Sequence, residues 1–236
     1  MEWSRYRAAL FDLDGVITPT ARVHVRAWTQ MFDEFLAARG EEPFTRQDYL
    51  DHVDGKPRMD GVRDFLASRN ITLPEGDPDA APDEDSIAGL GNRKNEYFVA
   101  LLRSDGVDAF PGSVALLDVL PHLGVTAAVV SSSRNARTVL EAAGLLDRFD
   151  VIVDGDVAAR EDLAGKPEPD TYLAAAGELG VDPGQAVVVE DALSGVASGA
   201  AGGFGVTIGV DRGAGHRALL DNGADVVVDD LAELIP

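Results

Sequence analysis

The 236-residue sequence contains no cysteine, which removes disulfides, zinc–thiolate sites and thiol nucleophiles from consideration. Positive charge is scarce: 20 Lys and Arg stand against 41 Asp and Glu, a formal net charge of −21. Such a field repels nucleic-acid phosphates and anionic lipid, so neither nucleic acid nor a membrane is an expected partner. No apolar run approaches the ~18 residues of a membrane span. The segment from Met1 to Arg7 is polar, and Asp12 and Asp14 interrupt the apolar stretch after it; a secretory leader is therefore not expected and a cytoplasmic setting is. Lysine is scarcest of all, with only Lys56, Lys94 and Lys166 among the 20 basic residues. A chain that uses arginine as its general cation keeps a compact ammonium at three positions, which directs attention to them. Hydrophobic residues still make up 45% of the chain, enough at this length for one large core or a core with a modest insertion.

Residues 6–11 form a short apolar run, and short β-branched runs follow at 125–130, 150–153, 186–189, 205–210 and 225–228. Helical patterns over 113–123, 136–143, 170–179 and 216–222 separate most of them. Continuous apolar strands alternating with helices predict a parallel sheet covered on both faces. More than a hundred residues separate the first two strands, too many for one crossover. Apolar residues from Val23 to Leu36 fall at helical spacing, and 49–53, 62–68 and 97–102 read as further helical pieces. Between them, 74–85 carries six acids and three prolines, a solvated loop. The expected fold is thus α/β, a Rossmann-like parallel-sheet core (1–19 and 105–236) with an inserted small α-helical cap domain (20–104).

In an open α/β sheet, ligands bind beyond the carboxyl ends of the strands. Asp12 and Asp14 follow the first strand, Ser131 to Ser133 the second, and Glu190 and Asp191 the fourth, while Lys166 lies in a loop before a helix. Four carboxylates converging on one edge repel one another unless a hard cation sits among them. An oxygen-only set without His or Cys favours Mg²⁺, with Asp12, Asp14, Glu190 and Asp191 as its ligands.

Taken alone, Asp12-Leu13-Asp14-Gly15 is an ordinary turn after a strand. Three further pieces follow in order: Val130-Ser131, Gly165-Lys166-Pro167-Glu168-Pro169-Asp170, and Val189-Glu190-Asp191-Ala192 with Ser194-Gly195. Together the set resembles the haloacid dehalogenase superfamily of phosphoryl-transfer enzymes, and its four motifs cover the whole core. The resemblance implies that Asp12 is a nucleophile forming an aspartyl phosphate. It makes Asp14 the general acid/base, its backbone carbonyl helping to hold magnesium. Ser131 would bind the transferring phosphoryl group and Lys166 neutralise it. Phosphoryl transfer is mostly positioning and charge neutralisation, which such a set supplies.

The inserted segment narrows the match. Thr20 to Trp28, Asp54-Gly55-Lys56-Pro57-Arg58 and Arg93-Lys94-Asn95 look like the cap of the β-phosphoglucomutase-like subfamily. By that resemblance Thr20 lies near the hinge, His24 couples cap closure to Asp14, and Trp28 bounds a sugar pocket. Gly55, Lys56, Arg58 and Lys94 fall in the substrate-binding cap segments, with Arg58 gripping the second, non-transferring phosphate. Ser132, Ser133, Arg134 and Asn135 match positions contacting the substrate from the core. The chain departs from the pattern in three places, one of them the acidic loop 74–85, which looks like an insertion relative to the simplest members. Pro19 precedes the hinge, and Asp54 stands where the best-known mutases carry lysine, so that Lys56 becomes the substitute cation. Alone, His24 would read as a core histidine, and Arg58 and Lys94 as solvated surface charges.

The implied activity interconverts β-D-glucose 1-phosphate and glucose 6-phosphate through an aspartyl-phosphate enzyme and a bound bisphosphate. A Mg²⁺-dependent sugar-phosphate phosphatase, with water as acceptor, is the alternative. A catalytically silent sugar-phosphate-binding protein would need a lost nucleophile or metal ligand, and none is lost. A monomer acting on a small sugar phosphate is expected.

Overall fold

The computed structural model describes residues 1–53 and 56–236. The first strand, β1 (Ala8–Phe11), is apolar and buried at every position, as a strand covered on both faces must be. The chain then leaves the sheet for four helices: α1 (Ala21–Ala37), α2 (Arg46–His52), α3 (Arg58–Ser68) and α4 (Ile87–Asp105). It returns through α5 (Pro111–Val119), β2 (Thr126–Val130), α6 (Ala136–Ala142), β3 (Val151–Val153), α7 (Gly155–Arg160) and α8 (Asp170–Glu178). β4 (Ala186–Glu190), α9 (Leu193–Ala201), β5 (Val206–Val210), α10 (His216–Asp221) and β6 (Val226–Val228) complete it. No helix among the described residues is long and apolar enough to cross a membrane.

The strands form one six-stranded sheet in the order β3-β2-β1-β4-β5-β6, and every pairing is parallel. The expected α/β class with a parallel sheet is therefore the observed one. The order reverses direction at β1, which lies between β2 and β4, and a doubly wound sheet opens a crevice at such a switch point. Ala8 lies opposite both Thr126 and Ala186, so the three central strands run level.

The chain divides into two units: Met1–Pro19 with Val107–Pro236, and Thr20–Gly106. The return comes two residues later than the periodicity suggests. α4 runs to Asp105 and ends at Gly106, whose φ of +71° suits a residue without a side chain. The helical unit has its own core, in which the rings of Phe32, Phe44 and Phe65 pack tilted and edge-on with centroids 4.2–4.9 Å apart. α2 is capped reciprocally, Thr45 Oγ1 accepting from the Asp48 amide and Asp48 accepting from the Thr45 amide. The acidic stretch 74–85 has no helix or strand and is mostly exposed, yet it is fastened to α4. The Ile87 and Ala88 amides donate to the carbonyls of Pro74 and Glu75, and Arg93 Nε donates to that of Pro82.

Candidate active site

β1 and β4 end side by side, Phe11 opposite Val189, with Val129 of β2 on the other flank. Asp12 and Glu190 therefore leave the sheet level with each other. Both are buried, Glu190 to 1% exposure, a costly place for two carboxylates unless a cation joins them. Lys166, from the loop before α8, does so. Its ammonium donates to Asp12 Oδ1 at 2.5 Å, Glu190 Oε1 at 2.6 Å and the Val130 carbonyl at 3.2 Å, which uses all three of its protons. The other Glu190 oxygen accepts from the Asp191 and Ala192 amides, each at 3.0 Å.

One ammonium does not balance the cluster. Burial pushes Asp12 up to about 8 even with Lys166 beside it, and Glu190 and Asp14 add to the rise. Burial, then Glu190, Asp12 and Asp14, push Asp191 up to about 9. Burial opposes charge on Lys166 too, but Asp12 and Glu190 hold it well above the ordinary lysine range. Asp12, Glu190 and Asp191 each offer an oxygen, all within 4.8 Å of one another. Two glycines shape this cradle. A Cβ on Gly195 would meet Glu190 Oε1 at 1.7 Å, and one on Gly15, whose φ is +88°, would meet Asp191 Oδ2 at 1.9 Å. The carboxylates occupy the space those side chains would fill. An oxygen-only donor set with surplus negative charge fits a hard divalent cation.

Ser131 follows β2 and is buried, its Oγ accepting from the Ser133 amide at 3.1 Å. Ser133 Oγ accepts in turn from the Asn135 amide at 3.1 Å. Ser132 and Arg134 are exposed, and Arg134 Nε lies 3.4 Å from an Asp156 oxygen. Asp14 sits in the turn after β1, half-buried.

Among the helical residues, His24, Trp28 and Lys94 come together where α1 packs on α4. Lys94 is buried, over the rings of Trp28 and Phe98, with its ammonium 2.7 Å from His24 Nδ1. An ammonium only donates, so Nδ1 accepts and the imidazole proton lies on Nε2. Phe98 stacks on His24, ring centroids 4.1 Å apart. Thr20 is buried at the start of α1. Trp28 packs on Phe32 inside the helical core. Arg58 is the first residue of α3 and half-buried; Gly91 of α4 leaves room for Met59 and for the Arg58 stem. Lys56 pairs with Asp64, so its charge is already engaged within the unit. Gly55, like Asp54, lies outside the described residues.

One site residue went unread in the sequence. Tyr172 of α8 is fully buried, donates its hydroxyl to Glu190 Oε1 at 3.1 Å, and lies under the Lys166 ammonium. Its position six residues after Lys166 was the available signal.

Residues 6–203 match the model of haloacid dehalogenase-like hydrolases. A curated β-phosphoglucomutase from Mycobacterium tuberculosis is 51% identical, covering 98% of this chain and 92% of its own. The crystal structure of β-phosphoglucomutase from Clostridium difficile superposes with a TM-score of 0.78 at 28% identity, covering 98% of this chain and 93% of its own. A mutant of CbbY from Rhodobacter sphaeroides, crystallised with xylulose 1,5-bisphosphate, gives a TM-score of 0.76 at 29% identity over 97% of this chain and 96% of its own.

Proposed function

The chain belongs to the haloacid dehalogenase-like hydrolase family, and from that premise we propose that it is a β-phosphoglucomutase-type enzyme interconverting β-D-glucose 1-phosphate and glucose 6-phosphate. One observation carries the reading: a buried Asp12 held by Lys166 beside Glu190 and Asp191, in a chain 51% identical to a β-phosphoglucomutase. The reaction starts from enzyme phosphorylated on Asp12. Asp14, as carboxylate, takes the proton of the sugar's 6-hydroxyl. That oxygen attacks the aspartyl phosphate, the bond from phosphorus to Asp12 breaks, and a 1,6-bisphosphate forms. After the bisphosphate turns over, Asp12 attacks the phosphorus at C1 and the departing C1 oxygen recovers the proton from Asp14. Glucose 6-phosphate leaves and Asp12 is again phosphorylated. Ser131 and Lys166 hold the transferring phosphoryl oxygens, and Arg58, on the helical unit acting as a cap, takes the distal phosphate. Mg²⁺, held by Asp12, the Asp14 carbonyl, Glu190 and Asp191, supplies counter-charge to the phosphoryl oxygens when bound. The sign of its effect on stability follows from the carboxylates. Without metal, Asp12 and Asp191 bind protons more tightly folded than unfolded, so their ionisation lowers stability as pH rises from about 4 through 8–9. Metal competes with those protons and binds more tightly at high pH.

At a hundredfold excess over its dissociation constant, Mg²⁺ adds about 2.7 kcal/mol. For a chain of this size that raises Tm by roughly 5–10 °C. The shift, read by calorimetry against EDTA-treated protein, is expected to be larger at pH 8.5 than at pH 6. Equal melting temperatures with and without metal would remove the cation from the reading. Gly195→Ala is expected to displace the Glu190 carboxylate and lower kcat by about 10²-fold or more. It should also weaken Mg²⁺ binding while the helix content of α9 is retained, because alanine is the better helix former. The deciding experiment is ³¹P NMR of products from β-D-glucose 1-phosphate with Mg²⁺ and a trace of the bisphosphate. Glucose 6-phosphate supports the mutase; inorganic phosphate alone means a phosphatase.

A further inference from the structure

Arg212 follows β5, two hundred residues after Asp12, and no motif contains it. Its Nε donates to the Gly15 carbonyl at 2.8 Å. Another guanidinium nitrogen donates to the Asp229 carbonyl beyond β6 at 2.9 Å, and the plane lies 3.9 Å over the ring of Phe110. The third nitrogen is buried without a partner among the described residues. A donor stripped of water and left unbonded is destabilising, so packing alone does not account for an arginine here.

The carbonyl it holds belongs to the turn that carries Asp14. That turn is closed internally: the Ile17 and Thr18 amides both donate to the Leu13 carbonyl at 3.0 Å, and the Gly15 amide donates to the Thr18 carbonyl at 2.7 Å. From outside, Ser113 Oγ donates to the Val16 carbonyl at 2.6 Å and the Phe110 amide to that of Ile17 at 2.9 Å. Arg212 supplies a further brace, on the carbonyl of the residue that follows Asp14, and also covers the ring of Phe110. Gly15 has a positive φ and no side chain, so nothing on the residue itself fixes the Gly15–Val16 peptide whose carbonyl Arg212 holds.

We propose that Arg212 is a positioning residue for Asp14, a planar fork tying the ends of β5 and β6 to the acid/base turn. The inference rests on the reading of Asp14 given above. A group that only positions Asp14 matters where a sugar oxygen must lose or gain a proton. Phosphorylation of Asp12 by acetyl phosphate draws on Asp14 only through its metal-holding carbonyl, because acetate departs without a proton, so that step is expected to suffer less.

The test compares two rates in Arg212→Ala, Arg212→Lys and Asp14→Asn: single-turnover phosphorylation of Asp12 by acetyl phosphate, and kcat from β-D-glucose 1-phosphate to glucose 6-phosphate. Misplacing a reacting group by about an ångström costs up to ~10²-fold, so Arg212→Ala is expected to lose 10–100-fold more in the second rate than in the first. Arg212→Lys keeps a cation but not the fork, and recovers part of that loss. Should Arg212→Ala fail to fold, as judged by circular dichroism and Tm, the lysine variant is scored on the same ratio. Equal losses in both rates, or none, overturn the proposal. If Asp14→Asn splits the two rates and the Arg212 variants do not, only this inference falls. If Asp14→Asn shows no split, the acid/base assignment falls and takes this one with it.

Discussion

Asp12→Asn is expected to abolish turnover, by on the order of 10⁴-fold or more, the scale of losing a nucleophile, while leaving the metal-free protein as stable as before or more so. The two halves have one cause. Asp12 is buried and shares a small volume with Glu190 and Asp191, so that its ionised form is disfavoured and its carboxyl rises to about 8. Asparagine keeps the shape and removes the charge. Lys166 retains Glu190 and the Val130 carbonyl as acceptors, so no buried ion is stranded. On the proposed reading, the repulsion that Asp12 brings is stability given up for function. Calorimetry in EDTA at pH 8, beside an activity assay, checks both halves. An inactive but clearly destabilised variant would show that the Asp12–Lys166 pair is structural. Repeating the melts with Mg²⁺ should invert the ranking, because the variant has lost a ligand.

Arg58→Ala is expected to lower mutase turnover by roughly 10²-fold or more, while the rate of Asp12 phosphorylation by acetyl phosphate falls at least tenfold less. A phosphatase needs one phosphate site. A mutase whose bisphosphate turns over needs a second, and that site must be cationic. Arg58, the first residue of α3, is the residue proposed for it. Its planar fork holds two phosphate oxygens at once, so Arg58→Lys should recover only part of the loss. Binding energy at the distal phosphate then orients the reacting one. Equal losses in the two assays would assign Arg58 to the fold; no loss in either would favour the phosphatase.

The strands were legible to within two residues because each is a continuous apolar run flanked by turn residues, as in Ala186–Glu190. α4 was not: the periodicity marks only residues 97–102, whereas the helix runs from Ile87 to Asp105. Gly89, Gly91 and the polar run from Asn92 to Asn95 disguise it. Those glycines are there for clearance, a Cβ on Gly91 meeting Met59 at 2.4 Å and one on Gly89 meeting the Glu84 carbonyl at 2.2 Å. α9 hides for the same reason, since Gly195 and Gly199 make room for Glu190 and Thr207. Of the candidate site, residues within motifs could be read because spacing carries them. Tyr172 and Arg212 act through contacts made only when distant segments meet, and no local pattern announces such contacts.

The strand order also has a consequence for how the molecule assembles. β1, which Asp12 follows, finds neither neighbour nearby in the chain: residue 8 pairs with residues 126 and 186. Closing loops of that length slows folding. The helical segment lies wholly inside the first of those loops and makes its contacts locally, around Phe32, Phe44 and Phe65. Pulsed hydrogen exchange during refolding should therefore find amides of α1 and α4 protected before those of β1. On the ribosome, the central strand would emerge first and wait longest for a partner, an apolar edge in need of shelter until β2 has been made.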